Sequence, residues 1–285
     1  MLDKPAIKFS LPVLFMFSLT GLNCSAVRNI NIYTTAEEVQ IGNSLDKEIR
    51  KEYDILKDDK IDSFLAERGK KLVQASGRSD IEYNFALVNS EVINAFAIPG
   101  GYCYVNLGLF RQSETEAELI SVLAHEINHV VHRHSMKRLS QMQLAGAITQ
   151  IALGNAGDLQ YAVANLFTST GMLYYSREAE READRDGLLT MYRAGYDPQG
   201  MVDMFEKLKA NREGPEPGGW QLLFSTHPIT GERIENTKKE IAGLPSKPDL
   251  IMNSPEWSQI RKYLQEKYPP PKKSEKKAGE GKGGN

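Results

Sequence analysis

Apolar residues recur at helical spacing in a stretch near the middle of the chain, between positions 113 and 132. They are Leu119, Leu123, Ile127 and Val130. Residues that recur at intervals of three or four form one face of a helix, and an apolar face of this kind is buried. Ser113 followed by Glu116 matches a capping box, which would begin the helix. The pattern predicts a buried helix around which the rest of the chain is organised.

Two further helices are predicted before this one. Thr35 and Glu38 form a second capping box, so a helix should begin there. Another helix is expected from about 61 to 75, and Gly77 should end it because glycine favours the left-handed conformation that follows a helix. Both helices should pack behind the central one.

Three short strands are predicted between these helices and the central helix. Apolar and polar residues alternate from 81 to 87, which is typical of a strand, and two more strands are expected at 92–98 and 102–106. Pro99-Gly100-Gly101 would form the turn between the last two. We therefore predict an α+β fold, a mostly helical domain with a small antiparallel sheet next to the central helix. An exposed edge strand of that sheet could hold a substrate peptide by strand addition. The alternative is that these strands are only part of the core.

After the central helix, an apolar segment from 142 to 173 is interrupted by Gly154, Asn155 and Gly157. These interruptions favour two short helices, forming a lid or cleft wall, over a membrane span. A further helix is expected at 201–208.

Composition supports a single catalytic domain, which we place at 35–245. The 285 residues are 41% hydrophobic and 25% charged, enough for one substantial core. A helical extension is expected at 246–268, and the tail at 269–285, rich in Pro, Lys, Glu and Gly, should be disordered. The net charge of −2 gives no indication of a nucleic-acid partner.

The N-terminus, residues 1–24, resembles a signal peptide. Lys4 and Lys8 precede an apolar run from 9 to 22, which is too short to span a bilayer. Cys24 follows at once, as in a bacterial lipobox whose cysteine is acylated. Cleavage by an ordinary signal peptidase and an uncleaved anchor are the alternatives. We expect an exported, periplasmic protein held at a membrane by Cys24, with the outer membrane favoured, and a lone buried thiol at Cys103.

The central helix carries the pattern His-Glu-x-x-His. At 3.6 residues per turn, His125 and His129 lie one above the other, so both imidazoles can bind one zinc ion. Glu126 lies beside the metal, where its carboxylate could take a proton from a water whose pKa the metal has lowered. Two ordinary histidines on a helix are the alternative interpretation.

A third zinc ligand must be sought elsewhere. His132 lies on the same face but about 10 Å along the helix axis from His125, and His134 should point to the opposite side. Neither can complete the site. A carboxylate further along the chain is therefore required.

The stretch from 176 to 186 supplies the candidates. On a helical wheel Glu180 and Asp184 fall on the apolar stripe, whereas Glu178 and Glu182 fall on the solvated face. Two buried carboxylates are costly unless a positive charge compensates, and zinc would do so. We predict Glu180 as the ligand and Asp184 as the acceptor for the spare N–H of a zinc-bound histidine. A surface helix is the alternative.

Several segments together resemble the gluzincin peptidases of the HtpX and CAAX-prenyl-endopeptidase family, in its soluble periplasmic branch. They are 94–101, His125-Glu-Ile-Asn-His129, 176–184, Ala194-Gly-Tyr-Asp-Pro198, Thr226-His227-Pro228 and Arg233-Ile234. The likeness runs from about 35 to 241 and implies a zincin-type domain with one Zn²⁺ per chain. It also implies His125, His129 and Glu180 as ligands, Glu126 as general base and Asp184 behind a ligand. The membrane helices of HtpX are missing from this sequence.

His227 gains a role only through the resemblance. A histidine before proline in a loop is by itself more often an ordinary surface residue. In the soluble branch, a histidine in this setting can approach the zinc. It could block the water position or stabilise the oxyanion.

The predicted function is that of a zinc metalloendopeptidase of the cell envelope, and the resemblance implies unfolded or misassembled proteins as its substrates. A chaperone-like binding protein with a closed zinc site is the alternative function.

Overall fold

The computed structural model describes residues 30–144, 175–212, 223 and 226–270. The helices are α1 (Thr35–Glu52), α2 (Asp59–Ser76), α3 (Leu107–Gln112), α4 (Glu116–Val131), α5 (His134–Leu144), α6 (Arg177–Arg193), α7 (Gln199–Arg212), α8 (Gly231–Ala242) and α9 (Pro255–Lys267). The strands are β1 (Ile55–Leu56), β2 (Asn84–Val88), β3 (Ala95–Ile98) and β4 (Tyr102–Asn106). Helices dominate and one small sheet accompanies them, so the predicted α+β fold class is confirmed.

The sheet is mixed, with strand order β1-β2-β4-β3. The expected antiparallel arrangement holds for β3 with β4, but β2 and β4 run parallel. Strand β1, which the sequence did not predict, pairs antiparallel with β2. The chain leaves β2, passes to the outer edge to form β3, and returns through a tight hairpin at Pro99–Gly101. The hairpin inserts β4 between β2 and β3, where it runs antiparallel to β3 and parallel to β2.

Helix α4 is the centre of the molecule. Every residue from Glu116 to Val130 is buried, including the four apolar residues of the predicted face. A helix that is buried on all sides lies inside a core rather than on its surface. The sheet packs on one side of α4 through β3, and α6 and α7 pack on the others.

The beginning of α4 differs from the sequence prediction. Its N-cap is Thr115, whose side chain accepts a hydrogen bond from the N–H of Glu118. Ser113 instead closes α3, and its hydroxyl donates to the carbonyl of Leu109 at 3.0 Å. The capping box of α1 is likewise one residue earlier than expected, at Thr34. Several hydroxyl and carboxyl side chains lie close together at both helix starts, so the pattern locates each start only to within two residues.

The carboxylate of Glu116 is buried, and it fastens the C-terminal helix to α4. It accepts hydrogen bonds from Arg68 Nε at 3.0 Å, from Tyr196 Oη at 3.2 Å and from the N–H of Ser254 at 2.9 Å. Ser254 is the N-cap of α9, which therefore begins against α4. Helix α9 also buries Trp257 in the main core. The predicted 246–268 extension thus contains a helix that packs into the core.

A second carboxylate holds the far end of α9. Asp58 is the N-cap of α2, and its Oδ2 accepts hydrogen bonds from Tyr263 at 3.0 Å, Lys267 at 2.8 Å and Tyr268 at 2.9 Å. Burial opposes ionisation of Asp58, but these hydrogen bonds lower its pKa to about 2. We call Arg68, Glu116 and Asp58 the α9 anchor.

Several predictions fall on residues outside the described ranges. They are the signal peptide at 1–24 with Cys24, most of the helix pair at 142–173, and the tail beyond 270. Among the described residues, no helix is both long and apolar enough to cross a membrane. Cys103 is buried, as expected.

Candidate metal centre

Helix α4 places the two motif histidines one turn apart with their rings converging. Nε2 of His125 lies 2.9 Å from Nε2 of His129, and both side chains are buried. The helix supporting them is rigid because it is packed on all sides. The structure therefore brings together the two nitrogens that the sequence assigns to zinc.

Helix α6 presents Glu180 and Asp184 to these histidines. Its N-cap is Ser176, which accepts a hydrogen bond from the N–H of Ala179. Glu180 is buried, and its carboxylate oxygens lie 3.5 Å from Nε2 of His125 and 3.5 Å from Nε2 of His129. The predicted stripe on the helical wheel thus faces the histidines.

The two helices approach closely at Gly187, one turn beyond Asp184. A Cβ atom at this position would lie 3.3 Å from the backbone of His125. That distance is tighter than ordinary van der Waals contact, so a larger residue would push α6 away from α4. Glycine at 187 therefore helps to set the distance between the carboxylates and the histidines.

His227, which precedes α8, also belongs to the cluster. Its Nδ1 lies 3.2 Å from Nε2 of His125 and 3.0 Å from Oε1 of Glu180, and its Nε2 lies 3.4 Å from Oε1 of Glu126. The side chain is buried. A surface position, the more frequent one for a histidine before proline, is therefore excluded.

One donor atom each from His125, His129, Glu180 and His227 lies within 4.8 Å of the others. Zinc binds imidazole nitrogen at about 2.0–2.1 Å, so tetrahedral ligand atoms are separated by about 3.3 Å. The distances between neighbouring donors, from 2.9 to 3.5 Å, fit that spacing. Three imidazoles and one carboxylate are also ligands that zinc prefers. The residues therefore fit a single zinc ion.

The electrostatics of the cluster favour a cation. Burial lowers the pKa of His125, but the carboxylates of Asp184 and Glu180 outweigh it and raise that pKa to about 10. Burial opposes ionisation of Glu180 as well, yet His227, His125 and His129 hold its pKa well below the usual range. A site that stabilises positive charge on an imidazole also attracts a metal ion.

Glu126 lies beside the cluster and not among its four donors. Its Oε2 accepts a hydrogen bond from the N–H of Ala97 at 3.2 Å, whereas its buried Oε1 accepts no hydrogen bond. Burial raises the pKa of Glu126, partly offset by His227 and His125. A carboxylate with a raised pKa and a free oxygen is suited to receive a proton.

Arg233 contacts the two buried carboxylates of α6. Its Nε and Nη2 donate to the two oxygens of Asp184, each at 2.7 Å, and its Nη1 lies 2.9 Å from Oε2 of Glu180. Asp184 Oδ1 in turn lies 3.0 Å from Nδ1 of His125, although this nitrogen makes no properly directed hydrogen bond. Burial raises the pKa of Asp184, but Arg233 and His125 together lower it. The sequence had signalled Arg233 only through the resemblance, because the charge compensation was assigned to zinc alone.

His134 does not point to the opposite side, as expected from a continuous helix. Helix α4 ends at Val131, Arg133 adopts a left-handed conformation with φ 54°, and α5 begins at His134. This reversal brings Nδ1 of His134 to 2.8 Å from Nδ1 of His129. The expectation was wrong because a helical wheel has no meaning beyond the end of its helix.

Glu182 fixes the tautomers of this histidine pair. Its Oε2 lies 2.9 Å from Nε2 of His134, and an ionised carboxylate can only accept a hydrogen bond. Nδ1 of His134 must then accept from Nδ1–H of His129, since burial lowers the pKa of each histidine to about 3 and keeps both neutral. Nε2 of His129 is left with a free lone pair facing the cluster. The sequence placed Glu182 on the solvated face of α6, but its carboxylate also orients His134 behind the ligand His129.

The edge strand is less accessible than expected. Strand β3 forms an edge of the sheet beside α4, but all four of its residues are at most 5% exposed. Its sequence, Ala-Phe-Ala-Ile, is apolar on both faces, so both faces are packed. The N–H of Ala97 points away from β4 toward Glu126. The prediction of an exposed edge is wrong in this respect.

A small apolar cavity of about 20 Å³ adjoins Glu126 and His227, enough for about one water molecule. Its apolar lining is formed by Val122, Met204, Phe205, Leu208, Leu223 and Ile229. The cavity beside Glu126 is therefore narrow, and most of its walls are apolar side chains.

Comparison with known proteins agrees with the geometry. The sequence model of Peptidase family M48 matches residues 60–241, which include every member of the cluster. The chain is 29% identical over 237 residues to the beta-barrel assembly-enhancing protease of Escherichia coli K12, covering 78% of this chain and 46% of that protein. It is 32% identical over 171 residues to the mitochondrial metalloendopeptidase OMA1 of Schizosaccharomyces pombe, covering 60% and 50% respectively.

The chain thus spans about half the length of the curated relatives it matches. The family match itself covers more than half of the chain. It confirms the resemblance to zinc metallopeptidases that the motifs indicated. The chain therefore belongs to peptidase family M48, a family of zinc-dependent metallopeptidases.

Proposed function

We propose that the chain is a zinc-dependent endopeptidase of the bacterial cell envelope that hydrolyses peptide bonds in unfolded or misassembled envelope proteins. The observation that carries the proposal is the position of Glu126, which lies next to the four donors with a buried oxygen free of hydrogen bonds. A carboxylate so placed can act on a water molecule at the cluster. The name of the relative from Escherichia coli supports an envelope substrate.

Each residue of the site has a distinct task in the proposed reaction. When bound by His125, His129 and Glu180, zinc supplies Lewis-acid chemistry, which polarises a carbonyl group and lowers the pKa of water. Glu126 removes a proton from the water while the water oxygen attacks the scissile carbonyl carbon. The same carboxyl group then gives that proton to the amine nitrogen as the C–N bond breaks.

Two close polar contacts orient the zinc ligands in this proposal. Asp184, itself held by Arg233, contacts Nδ1 of His125, and His134 contacts Nδ1 of His129. In both cases Nε2 is the nitrogen left for the metal. Residues that hold a ligand's far nitrogen fix its ring and its tautomer, and their loss typically weakens metal binding 10–100-fold.

Strand β3 is the proposed support for the substrate backbone. In the register with β4, the backbone groups of Ala95 and Ala97 face the free edge, because Phe96 and Ile98 lie in the hydrogen-bonded pairs. A peptide added there would lie alongside Glu126. Since β3 is buried, the groups that cover it must move before a substrate can pair.

His227 is proposed to close the site at rest. Its Nδ1 lies among the donors as a fourth ligand atom would, and catalytic zinc sites keep one position open for water. Opening would then require His227 to leave. The same closed geometry supports the second candidate function, a chaperone-like envelope protein whose zinc site cleaves little.

A protease assay distinguishes the two functions. The purified protein is incubated with an unfolded envelope protein, with and without the zinc chelator phenanthroline. We expect cleavage that the chelator abolishes. Binding of the unfolded protein without any cleavage, in a preparation that contains one zinc per chain, would favour the chaperone-like function.

Membrane attachment is proposed through acylation of Cys24, which follows the apolar run of the N-terminus. The wild-type protein should then partition into detergent after export, whereas Cys24→Ala should remain in the aqueous phase. Equal partitioning of the two proteins would refute the lipid anchor.

A further inference from the structure

A second group of side chains that could bind a metal lies outside the metal centre, between the C-terminal end of α4 and helix α6. His132 caps the C-terminus of α4, and Glu182 and Asp186 lie one turn apart on α6. One donor atom from each lies within 4.8 Å of the others. We propose that these three residues form a second divalent-cation site that binds zinc.

The contacts within this group fit ligation better than simple ion pairing. Nε2 of His132 lies 2.7 Å from Oδ2 of Asp186, yet this buried nitrogen makes no properly directed hydrogen bond. Nδ1 of His132 lies 3.5 Å from Oε1 of Glu182. A single ion takes only one nitrogen of an imidazole, so His132 would supply one ring nitrogen while Glu182 and Asp186 each supply one carboxylate oxygen.

The charges near the group leave it attractive to a cation. Arg185 donates hydrogen bonds to both oxygens of Asp186, at 2.8 and 2.9 Å, but the Arg185 side chain is 53% exposed. Because the guanidinium is exposed, it can move into water when a cation binds Asp186, and displacing it lowers the affinity of the site. One imidazole with two carboxylates is a donor set that Zn²⁺ accepts, and two negative ligands favour a divalent ion.

The group is also held in place before any ion binds. Its members come from α4 and α6, whose backbones approach closely at Gly187. Glu182 is further fixed through Oε2, which lies 2.9 Å from His134 and leaves Oε1 for the cation. The side chains of His132, Glu182 and Asp186 are 21%, 36% and 23% exposed, so water can complete the coordination. We therefore infer a weaker and more exchangeable site than the buried metal centre.

Counting zinc ions tests the proposal without reference to proteolysis. The holoprotein, with its first zinc in place, is titrated with zinc alone by calorimetry, and bound metal is counted by mass spectrometry after equilibrium dialysis. The wild type should bind a second equivalent more weakly than the first. His132→Asn and Asp186→Asn should each lower the affinity for that second equivalent by at least about tenfold while retaining the first.

Glu178→Gln is the matched control, because it removes a carboxylate from the exposed face of the same helix and should retain both equivalents. Thermal melts establish that each variant is folded; if His132→Asn is not, Asp186→Asn alone decides, since its side chain is partly exposed. A wild type that stops at one zinc per chain would overturn the proposal. So would a folded Asp186→Asn protein that binds the second zinc as tightly as the wild type.

Discussion

A buried carboxylate lies at each end of helix α4, and the groups that surround the two carboxylates differ in kind. At the N-terminal end, Glu116 is surrounded by hydrogen-bond donors from Arg68, Tyr196 and Ser254. At the other end, nitrogens of His125 and His129 face each other and Glu180 at distances where hydrogens alone cannot satisfy them all. The first cluster is complete within the protein, whereas the second needs a metal ion. Burial of a carboxylate therefore indicates function only when its neighbours are also acceptors.

The largest expected effect concerns Glu126, which belongs to the metal-centre end but is not a ligand. Glu126→Gln should retain zinc and lower the turnover of an unfolded substrate by about 10²–10⁴-fold, as loss of a general base typically does. Zinc content and cleavage rate are measured on the same preparation. Glu178→Gln, on the exposed face of α6, is the charge-matched control. Full activity of Glu126→Gln would contradict the mechanism.

Neutralising one buried carboxylate at each end of α4 tests the comparison directly. Glu180→Gln should lose zinc, because it removes an anionic ligand, while the anchor of α9 stays intact. Glu116→Gln should instead retain zinc and lower the free energy of unfolding by about 3–5 kcal/mol, since Arg68 loses its buried partner.

Glu182→Gln refines the same test, since Glu182 contacts His134 behind a ligand of the metal centre and is not itself a ligand of that centre. It should keep the zinc of the metal centre, with the affinity for that ion lowered by about 10–100-fold. Metal analysis and chemical denaturation of all three variants give the result. Zinc loss in Glu182→Gln with retention in Glu180→Gln would show that the ligand has been assigned to the wrong residue.

His227 decides whether the metal-centre end is open or closed at rest. If it is a fourth ligand, His227→Ala should keep zinc through the other three ligands and cleave unfolded protein several-fold faster than the wild type. If it stabilises the oxyanion instead, turnover should fall by about 100-fold. Unchanged activity and zinc content would dismiss both roles.

The smallest expected effect is the pH dependence of the α9 anchor. The pKa of Asp58 is lowered in the folded protein to about 2, compared with about 3.9 in an unfolded chain. Its contribution is therefore fully present above about pH 4 and is lost as the pH falls toward 2. Asp58→Asn should cost about 1–3 kcal/mol at pH 7 and weaken the acid sensitivity of unfolding.

Asn still caps α2 well, so the Asp58→Asn effect reports the contacts with α9. Asp59→Asn, one residue along and exposed, should change neither the stability nor its pH dependence. If the free energy of unfolding depends on pH equally in Asp58→Asn and Asp59→Asn, Asp58 does not contribute to the α9 anchor.

Local spacing in the sequence was sufficient to predict the elements of the site. His125 and His129 are one turn apart in any helix, and the apolar stripe that carries Glu180 and Asp184 can be read from a helical wheel. The structure places these four side chains together. Both predictions concern residues within a single helix, where geometry follows directly from sequence separation.

Relations between elements could not be read in the same way. The position of His134 depends on the left-handed conformation of Arg133, and arginine carries no signal for it. Arg233 reaches Asp184 across a separation of 49 residues, so only the packing of α8 against α6 reveals the contact. Burial of β3 and the parallel pairing of β2 with β4 also depend on which elements become neighbours. The sequence pattern assigned Glu116 to a capping box with Ser113. A pattern shows residue types but not contacts, so it could not reveal that Glu116 binds Arg68 instead.

The separation between the parts of the site along the chain bears on the order of folding. His125 and His227 are 102 residues apart, and Arg233 follows still later. Contacts between residues so distant require closure of a long loop and form late in folding. The pair of motif histidines can form with α4, but Arg233 can hold Glu180 only once α8 has docked. A nascent chain is itself unfolded and so resembles the proposed substrate. It would have largely folded before its own site was assembled, which protects it from cleavage by that site.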